Sequence, residues 1–174
     1  MKKSLLLLSA LMLCFTTQAK TPEGMSIFVK HEINATDKIS SVGIAQRIRF
    51  AYSDMGAEAT TNISYAEVIT EEGYLEEFMA WEVGVKFGYF SNISVYVEAG
   101  IDLSESLLND NRNDDCCYDY YDQHNSPDGY AGAGIGFQLN RARIEFSARA
   151  RKIDSEFWQS EAYVFYGAQL TLQF

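Results

Sequence analysis

Cysteine and proline are almost absent from this chain, which has 3 cysteines and 2 prolines among 174 residues. Only Cys116 and Cys117 lie beyond the first 19 residues, so a disulfide framework cannot hold the fold together. The shortage of proline and the abundance of aromatic residues favour extended strands. No run beyond residue 19 approaches the ~18 consecutive apolar residues that a membrane-spanning helix needs.

Basic residues are also scarce, since 14 Lys and Arg stand against 24 Asp and Glu, for a net charge of −10. Removing residues 1–19 takes away Lys2, Lys3 and no acidic residue, so the remaining chain carries −12. A polyanion would be repelled by this charge, which disfavours nucleic acid as a partner.

The first 19 residues have the pattern of a cleaved secretory signal peptide. Lys2 and Lys3 precede an apolar stretch over residues 5–15, and Thr17-Gln18-Ala19 gives a small-residue cleavage pattern. Lipidation of Cys14 is the alternative, but the bulky Leu13 before it argues against a lipoprotein signal. We therefore predict a signal peptide over 1–19 and one domain over 20–174.

Apolar and other residues alternate with a period of two in eight segments, which is the pattern of strands with one apolar face. The apolar rows that mark the predicted strands lie within 25–29, 44–52, 59–65, 81–89, 93–103, 131–139, 142–150 and 162–174. Each predicted strand is close to the ~9–11 residues that a tilted membrane strand requires. The sequence therefore predicts an all-β fold, an eight-stranded antiparallel up-and-down transmembrane β-barrel.

The predicted connections alternate between short and long. The tight ones are 53–56, 91–92 and 140–141, and the longer ones are 34–41, 67–78, 104–128 and 152–160. This rhythm is typical of a barrel with both termini in the periplasm, short periplasmic turns and long outer loops. A Greek-key sandwich would not produce it.

Charged residues occupy the faces opposite the apolar rows and are predicted to form an ion-pair network in the lumen, because a lipid-facing charge is costly. The predicted network consists of Lys30, Glu32, Arg47, Arg49, Glu58, Glu82, Lys86, Glu98, Asp102, Arg143, Glu145, Arg149 and Arg151. An eight-stranded barrel is only wide enough for side chains to fill it, so we expect a plugged interior without a continuous pore.

The signal peptide, the eight rows, the rhythm of the connections and the ending Tyr166-Gly167-Ala168-Gln169-Leu170-Thr171-Leu172-Gln173-Phe174 resemble small bacterial outer-membrane β-barrel proteins of the porin or opacity type. The resemblance implies export through the periplasm to a Gram-negative outer membrane, with outer-membrane lipid and lipopolysaccharide as surroundings. It also implies that the assembly machinery reads the C-terminal strand through Tyr166, Leu170, Leu172 and Phe174. The group includes adhesins, lipid-modifying enzymes, small-solute channels and structural barrels, so the fold alone does not choose a function.

Three features of the predicted outer loops carry possible chemistry. Their excess of carboxylates suits divalent cations, or simply keeps the loops solvated. Cys116 and Cys117 are adjacent in an oxidising compartment and are predicted to form a disulfide, with chance neighbours and a soft-metal site as the alternatives. The fragment His124-Asn125-Ser126 resembles the His-x-Ser of outer-membrane lipid A deacylases, but no orienting carboxylate can be assigned to it.

We therefore predict a monomeric, non-enzymatic outer-membrane barrel with a structural or surface-interaction role and with no catalytic residue, metal site or cofactor. The alternatives are a lipid-modifying enzyme acting through His124 and Ser126, and a narrow small-solute channel.

Overall fold

The chain folds into a closed β-barrel. The computed structural model describes residues 23–35, 37–50, 53–69, 75–104, 129–152 and 162–174. Within these ranges, no helix is long and apolar enough to cross a membrane. The eight strands are β1 (Glu23–Asn34), β2 (Asp37–Arg49), β3 (Met55–Ile69), β4 (Leu75–Phe90), β5 (Ile93–Asp102), β6 (Gly129–Leu139), β7 (Ala142–Lys152) and β8 (Ala162–Gln173).

Each strand pairs antiparallel with the next one along the chain, and β8 pairs with β1 to close the barrel. A line of directly opposed residues that leaves β4 at Phe87 and passes once around the barrel returns to β4 at Glu77, ten residues away. With eight strands, this stagger corresponds to a strand tilt of about 40°. The predicted eight-stranded up-and-down barrel is confirmed.

The outer wall is apolar because the predicted apolar rows point outward. Val97 is 59% exposed and Tyr166 65% exposed, whereas the neighbouring Glu98 and Phe165 are buried. On β8 the outward apolar row runs from Val164 to Phe174, which at about 2.6 Å of height per tilted residue gives a band ~26 Å tall. Such a band matches the ~25 Å apolar belt of outer-membrane barrels.

The connections at one end of the barrel, which we call the lower end, are as short as predicted. β4 and β5 are joined through 91–92, and β6 and β7 through 140–141. Asn140 adopts φ 54°, a left-handed conformation that asparagine tolerates in a two-residue hairpin turn. β2 ends at Arg49 and β3 begins at Met55, so residues 55 and 56 of the predicted turn 53–56 belong to β3.

The prediction is wrong for the first connection at the opposite, upper end. β1 and β2 are joined by residues 35–36 alone, and the segment predicted as the loop 34–41 belongs to the two strands instead. Similarly, β3 extends to Ile69 and β4 begins at Leu75. Most of the segment predicted as the loop 67–78 is therefore paired as strand. The physical reason is that backbone pairing continues above the apolar band, where strands no longer need apolar side chains. Connections 103–128 and 153–161 remain the longest.

Candidate functional site: the charged interior

The inward rows bring most of the predicted lumen residues together. Eleven of the thirteen are buried: Lys30, Glu32, Arg47, Glu58, Glu82, Lys86, Glu98, Arg143, Glu145, Arg149 and Arg151. Arg49 is exposed because it ends β2 at the lower mouth, so the structure does not bury it with the others. Asp102 is half-buried at the upper end of β5 and accepts hydrogen bonds from the backbone and hydroxyl of Ser104.

A lower cluster of charges surrounds Glu58 and consists of Arg47, Glu58, Lys86, Arg143 and Glu145. Glu58 lies 2.8 Å from Nη2 of both Arg47 and Arg143, and 3.6 Å from Nζ of Lys86. Glu145 lies 3.1 Å from both Lys86 and Arg143. Each carboxylate therefore contacts at least two cations, and these contacts tie β2, β3, β4 and β7 together across the lumen.

An upper cluster consists of Lys30, Glu32, Glu82, Glu98, Arg149 and Arg151. Arg151 spans two carboxylates, at 2.6 Å from Glu82 and 2.7 Å from Glu32. Arg149 binds Glu98 through Nε and Nη2 in the two-pronged geometry that favours strong arginine–carboxylate pairs. Lys30 completes the cluster at 3.0 Å from Glu32. Its three basic and three acidic groups balance.

Aromatic rings contact the cations of both clusters. The ring centre of Tyr130 lies 4.5 Å from Cζ of Arg149 and 4.9 Å from Cζ of Arg151. Tyr96 lies 4.7 Å from Lys86, and Phe90 lies 4.4 Å from Arg47. These cation–π contacts place apolar surface against the buried cations.

Glycines on the inner wall make room for these rings. A Cβ added at Gly100 would collide with the ring of Tyr130, and one added at Gly134 would lie 2.5 Å from Cζ of Tyr96. Gly132 leaves room for an arginine instead, since an added Cβ would lie 2.9 Å from Cγ of Arg149.

Uncharged polar side chains complete the network, although they are not among the predicted lumen residues. Asn62 donates to Glu82 at 2.9 Å, and Gln169 donates to Glu145 at 2.6 Å. Thr171 donates to the same carboxylate at 3.1 Å. Their positions in β3 and β8 alternate in step with the inward-facing charged residues. This alternation could have predicted their role, because polar residues that face inward must find hydrogen-bond partners inside the barrel.

One hydrogen-bonded polar pair faces outward. Nδ1 of His31 and Oγ of Ser40 lie 3.0 Å apart on directly opposed positions of β1 and β2, and both side chains are exposed. The residue on β8 that directly opposes His31 is Ala168, whose small side chain leaves space beside the imidazole ring. Among the described residues, no carboxylate forms a hydrogen bond or ion pair with His31.

Other predicted sites lie on the outer wall or outside the described residues. Tyr166, Leu170, Leu172 and Phe174 face outward along β8 and are exposed. Cys116, Cys117, His124 and Ser126 lie outside the described residues, as do the predicted signal peptide and most of the acidic residues of the predicted outer loops. Within the described ranges, no group of three or more His, Cys, Asp or Glu could hold a metal ion.

No family model and no curated protein sequence matches this chain. Solved structures do resemble it. A de novo designed transmembrane β-barrel has 10% identity and a TM-score of 0.54, with coverage of 90% of this chain and 100% of the designed one. A second designed barrel, solved by solution NMR, has 14% identity and a TM-score of 0.50 over 90% of this chain and 98% of that one.

The outer membrane protein Ail of Yersinia pestis, whose backbone was determined in phospholipid nanodiscs, is also similar. It has 15% identity and a TM-score of 0.51, with coverage of 87% of this chain and 99% of Ail. Likeness at these identities concerns the fold. The fold is therefore that of an eight-stranded transmembrane β-barrel.

Proposed function

We propose that this protein is a non-enzymatic barrel of a Gram-negative outer membrane, with a side-chain-filled interior and a structural or surface-interaction role. The observation that carries the proposal is the pairing of an apolar outer band with a buried, ion-paired lumen. An inverted distribution, with charges outside and an apolar core inside, is what a water-soluble barrel would have.

The outer wall supports membrane insertion. Val95, Val97, Ile135 and Phe146 lie close together on the outward faces of β5, β6 and β7, and each is at least 46% exposed. Exposing so continuous an apolar surface to water would be costly, whereas lipid chains cover it without loss.

The interior supports a barrel that does not conduct. Both clusters cross the lumen, Phe90 closes the lower part, and Ile39, Ala66, Val68 and Phe165 form an apolar cluster near the upper end. A cavity at the upper mouth, next to Tyr130 and Arg151, has a volume of about 20 Å³, enough for about one water molecule. A small-solute channel would need a continuous wet path instead.

The surface role would belong to the upper end. On the outer side of this rim, Glu67 directly opposes Glu77, and Lys38 lies 3.9 Å from Glu67. We expect the acidic loops above this rim to meet divalent cations and lipopolysaccharide, because hard cations prefer carboxylate oxygens and bridge anionic headgroups.

A lipid-ester hydrolase is the second candidate, and the His31–Ser40 hydrogen bond is the observation that favours it. A histidine beside a serine hydroxyl can act as its general base, and this pair faces the lipid. However, no carboxylate in the described part of the chain forms a hydrogen bond with His31 that would orient it. The pair is better explained as two polar groups that satisfy each other near the upper edge of the apolar band.

Cell fractionation tests the proposal. The protein should sediment with outer membranes on a sucrose gradient, require detergent for extraction, and migrate faster on a gel when it is not boiled. Release by osmotic shock without detergent would contradict membrane insertion. Detergent extraction combined with a change in lipid A mass that depends on Ser40 would favour the second candidate.

A further inference from the structure

The two buried clusters differ in their charge balance. Among the described residues, six basic and five acidic side chains are buried in the interior. The upper cluster has three of each sign. The lower cluster has Arg47, Lys86 and Arg143 against Glu58 and Glu145, so the excess positive charge lies there. In the described part of the chain, no ion pair joins the two clusters.

The lower cluster also contains unused hydrogen-bond donors. Arg143 is completely buried and uses only Nη2 for its carboxylate partners, while Nε and Nη1 have no protein acceptor. The hydroxyl of Ser94, which is also completely buried, has no protein partner either. Leaving such groups unpaired inside a protein costs free energy, most of all for a charged donor.

The register brings these groups to one part of the lumen. Ser94 is directly opposed to Gly136, and Gly136 to Glu145. Because Gly136 has no side chain, the space above it is bordered by Ser94 Cβ and Glu145 Cγ, which would lie 3.5 and 3.0 Å from an added Cβ. Glu145 is itself bound to Arg143 at 3.1 Å.

The chemistry of the unpaired atoms distinguishes two kinds of occupant. In the upper cluster the buried atoms without a hydrogen bond are Arg151 Nε, a donor, and Glu32 Oε1, an acceptor that lies 3.4 Å from Nη1 of Arg149, and the charges of this cluster balance. A water molecule suits that combination, since it accepts and donates. In the lower cluster, both arginine atoms can only donate, the hydroxyl of Ser94 can donate, and the surroundings carry a positive charge.

We propose that the lower cluster binds a monovalent anion of halide size, such as chloride, through Arg143 Nε and Nη1 and Ser94 Oγ. The anion neutralises the excess buried charge and accepts hydrogen bonds from all three donors. Arg49 and Arg141 are exposed at the lower mouth and provide a basic entrance, although Asp54 lies at the same end with its carboxylate bonded to Tyr89.

Solution NMR of the full-length folded barrel in detergent micelles tests this assignment. The protein is exchanged into sodium gluconate and titrated with sodium chloride at constant ionic strength, while the Arg143 Nε–H and Ser94 amide resonances are followed. Both should shift saturably with one dissociation constant, and sodium bromide should reproduce the effect. Crystals grown in bromide should show an anomalous peak within hydrogen-bond distance of Arg143 Nε.

Matched variants separate binding from structure. Ser94→Ala should weaken chloride binding about two- to tenfold, the effect of one lost hydrogen bond. Ser26→Ala removes another buried hydroxyl, one that donates to the carbonyl of Ala45, and should leave the affinity unchanged. Spectra that are identical in gluconate and chloride would assign a water to these donors and overturn the proposal. Shifts that do not saturate and that have a similar size at other arginines would also overturn the proposal, because they would indicate an adventitious ion only.

Discussion

Glu58 is the most connected carboxylate of the lower cluster, so its neutralisation is the sharpest perturbation of the interior. Its side chain is 1% exposed and lies 2.8 Å from both Arg47 and Arg143. Glu58→Gln keeps the shape of the side chain and removes its charge. The lower cluster would then hold three cations and one carboxylate.

We expect this change to lower the free energy of unfolding by about 3–5 kcal/mol, the cost of leaving buried charge uncompensated. That is a large part of the ~5–15 kcal/mol by which proteins are usually stable. Glu67→Gln on the same strand is the matched control. Its partner Lys38 lies 3.9 Å away, and the side chains of Lys38 and Glu67 are 58% and 37% exposed, so the cost should be ~0–1 kcal/mol.

Reversible urea unfolding in lipid vesicles or detergent, followed by tryptophan fluorescence and by the gel mobility of unboiled samples, measures both values. The double variant Glu58→Gln/Arg143→Gln should cost less than the sum of the two single variants, because it removes both signs of charge. If Glu58→Gln costs no more than Glu67→Gln, the cross-lumen ion pairs do not stabilise the barrel and our reasoning about the interior fails.

Three further perturbations address the wall, the packing and the chemistry. Val97→Lys places a charge in the middle of the apolar band and should destabilise the membrane-inserted barrel by about 2–4 kcal/mol, measured by the same urea titration. Gly100→Ala forces a methyl group into the ring of Tyr130 and should cost about 1–3 kcal/mol. His31→Ala and Ser40→Ala should leave the mass spectrum of cellular lipid A unchanged, since we assign no lipid-hydrolysing role to this pair.

Each of these has its own control. Val97→Leu keeps the wall apolar and should be nearly neutral, so an equal loss for Leu and Lys would show that lipid does not cover this position. The cost of Gly100→Ala should largely disappear in a Tyr130→Ala background; a cost that stays the same would mean that the ring is not the obstacle. A deacylated lipid A that disappears with Ser40→Ala would establish the hydrolase instead.

The period-two pattern predicted the faces of the strands because barrel walls impose opposite environments on alternate residues. Ser94 and Val95 show this, one buried inside and the other 55% exposed outside. The pattern fails where the wall ends. Arg49 lies at an inward-facing position of the alternation, but it is the last residue of β2, so its side chain is exposed at the mouth of the barrel. Similarly, the polar segment after Asn34 resembles a loop but pairs as strand above the apolar band.

Pairing inside the lumen depends on the stagger of the strands, which the sequence does not display. Arg143 binds Glu58, 85 positions earlier in the chain, and Arg151 binds Glu32, 119 positions earlier. Near-balance of charge predicted that such pairs exist, yet only the closed register decides which residues meet. The inward placement of the Tyr96 and Tyr130 rings depends in the same way on the register, because each ring packs over a glycine of a neighbouring strand.

Planar lipid bilayer recording of the purified full-length protein tests the central claim, a transmembrane barrel whose interior is filled, most directly. We predict insertion without stepwise current at about ±100 mV in ~1 M KCl, because we propose that the side chains of the two buried ion-pair clusters fill the lumen. Incorporation is verified in the same membranes by protease protection and by gel mobility. Regular, long-lived conductance steps from the inserted wild-type protein would contradict the filled interior.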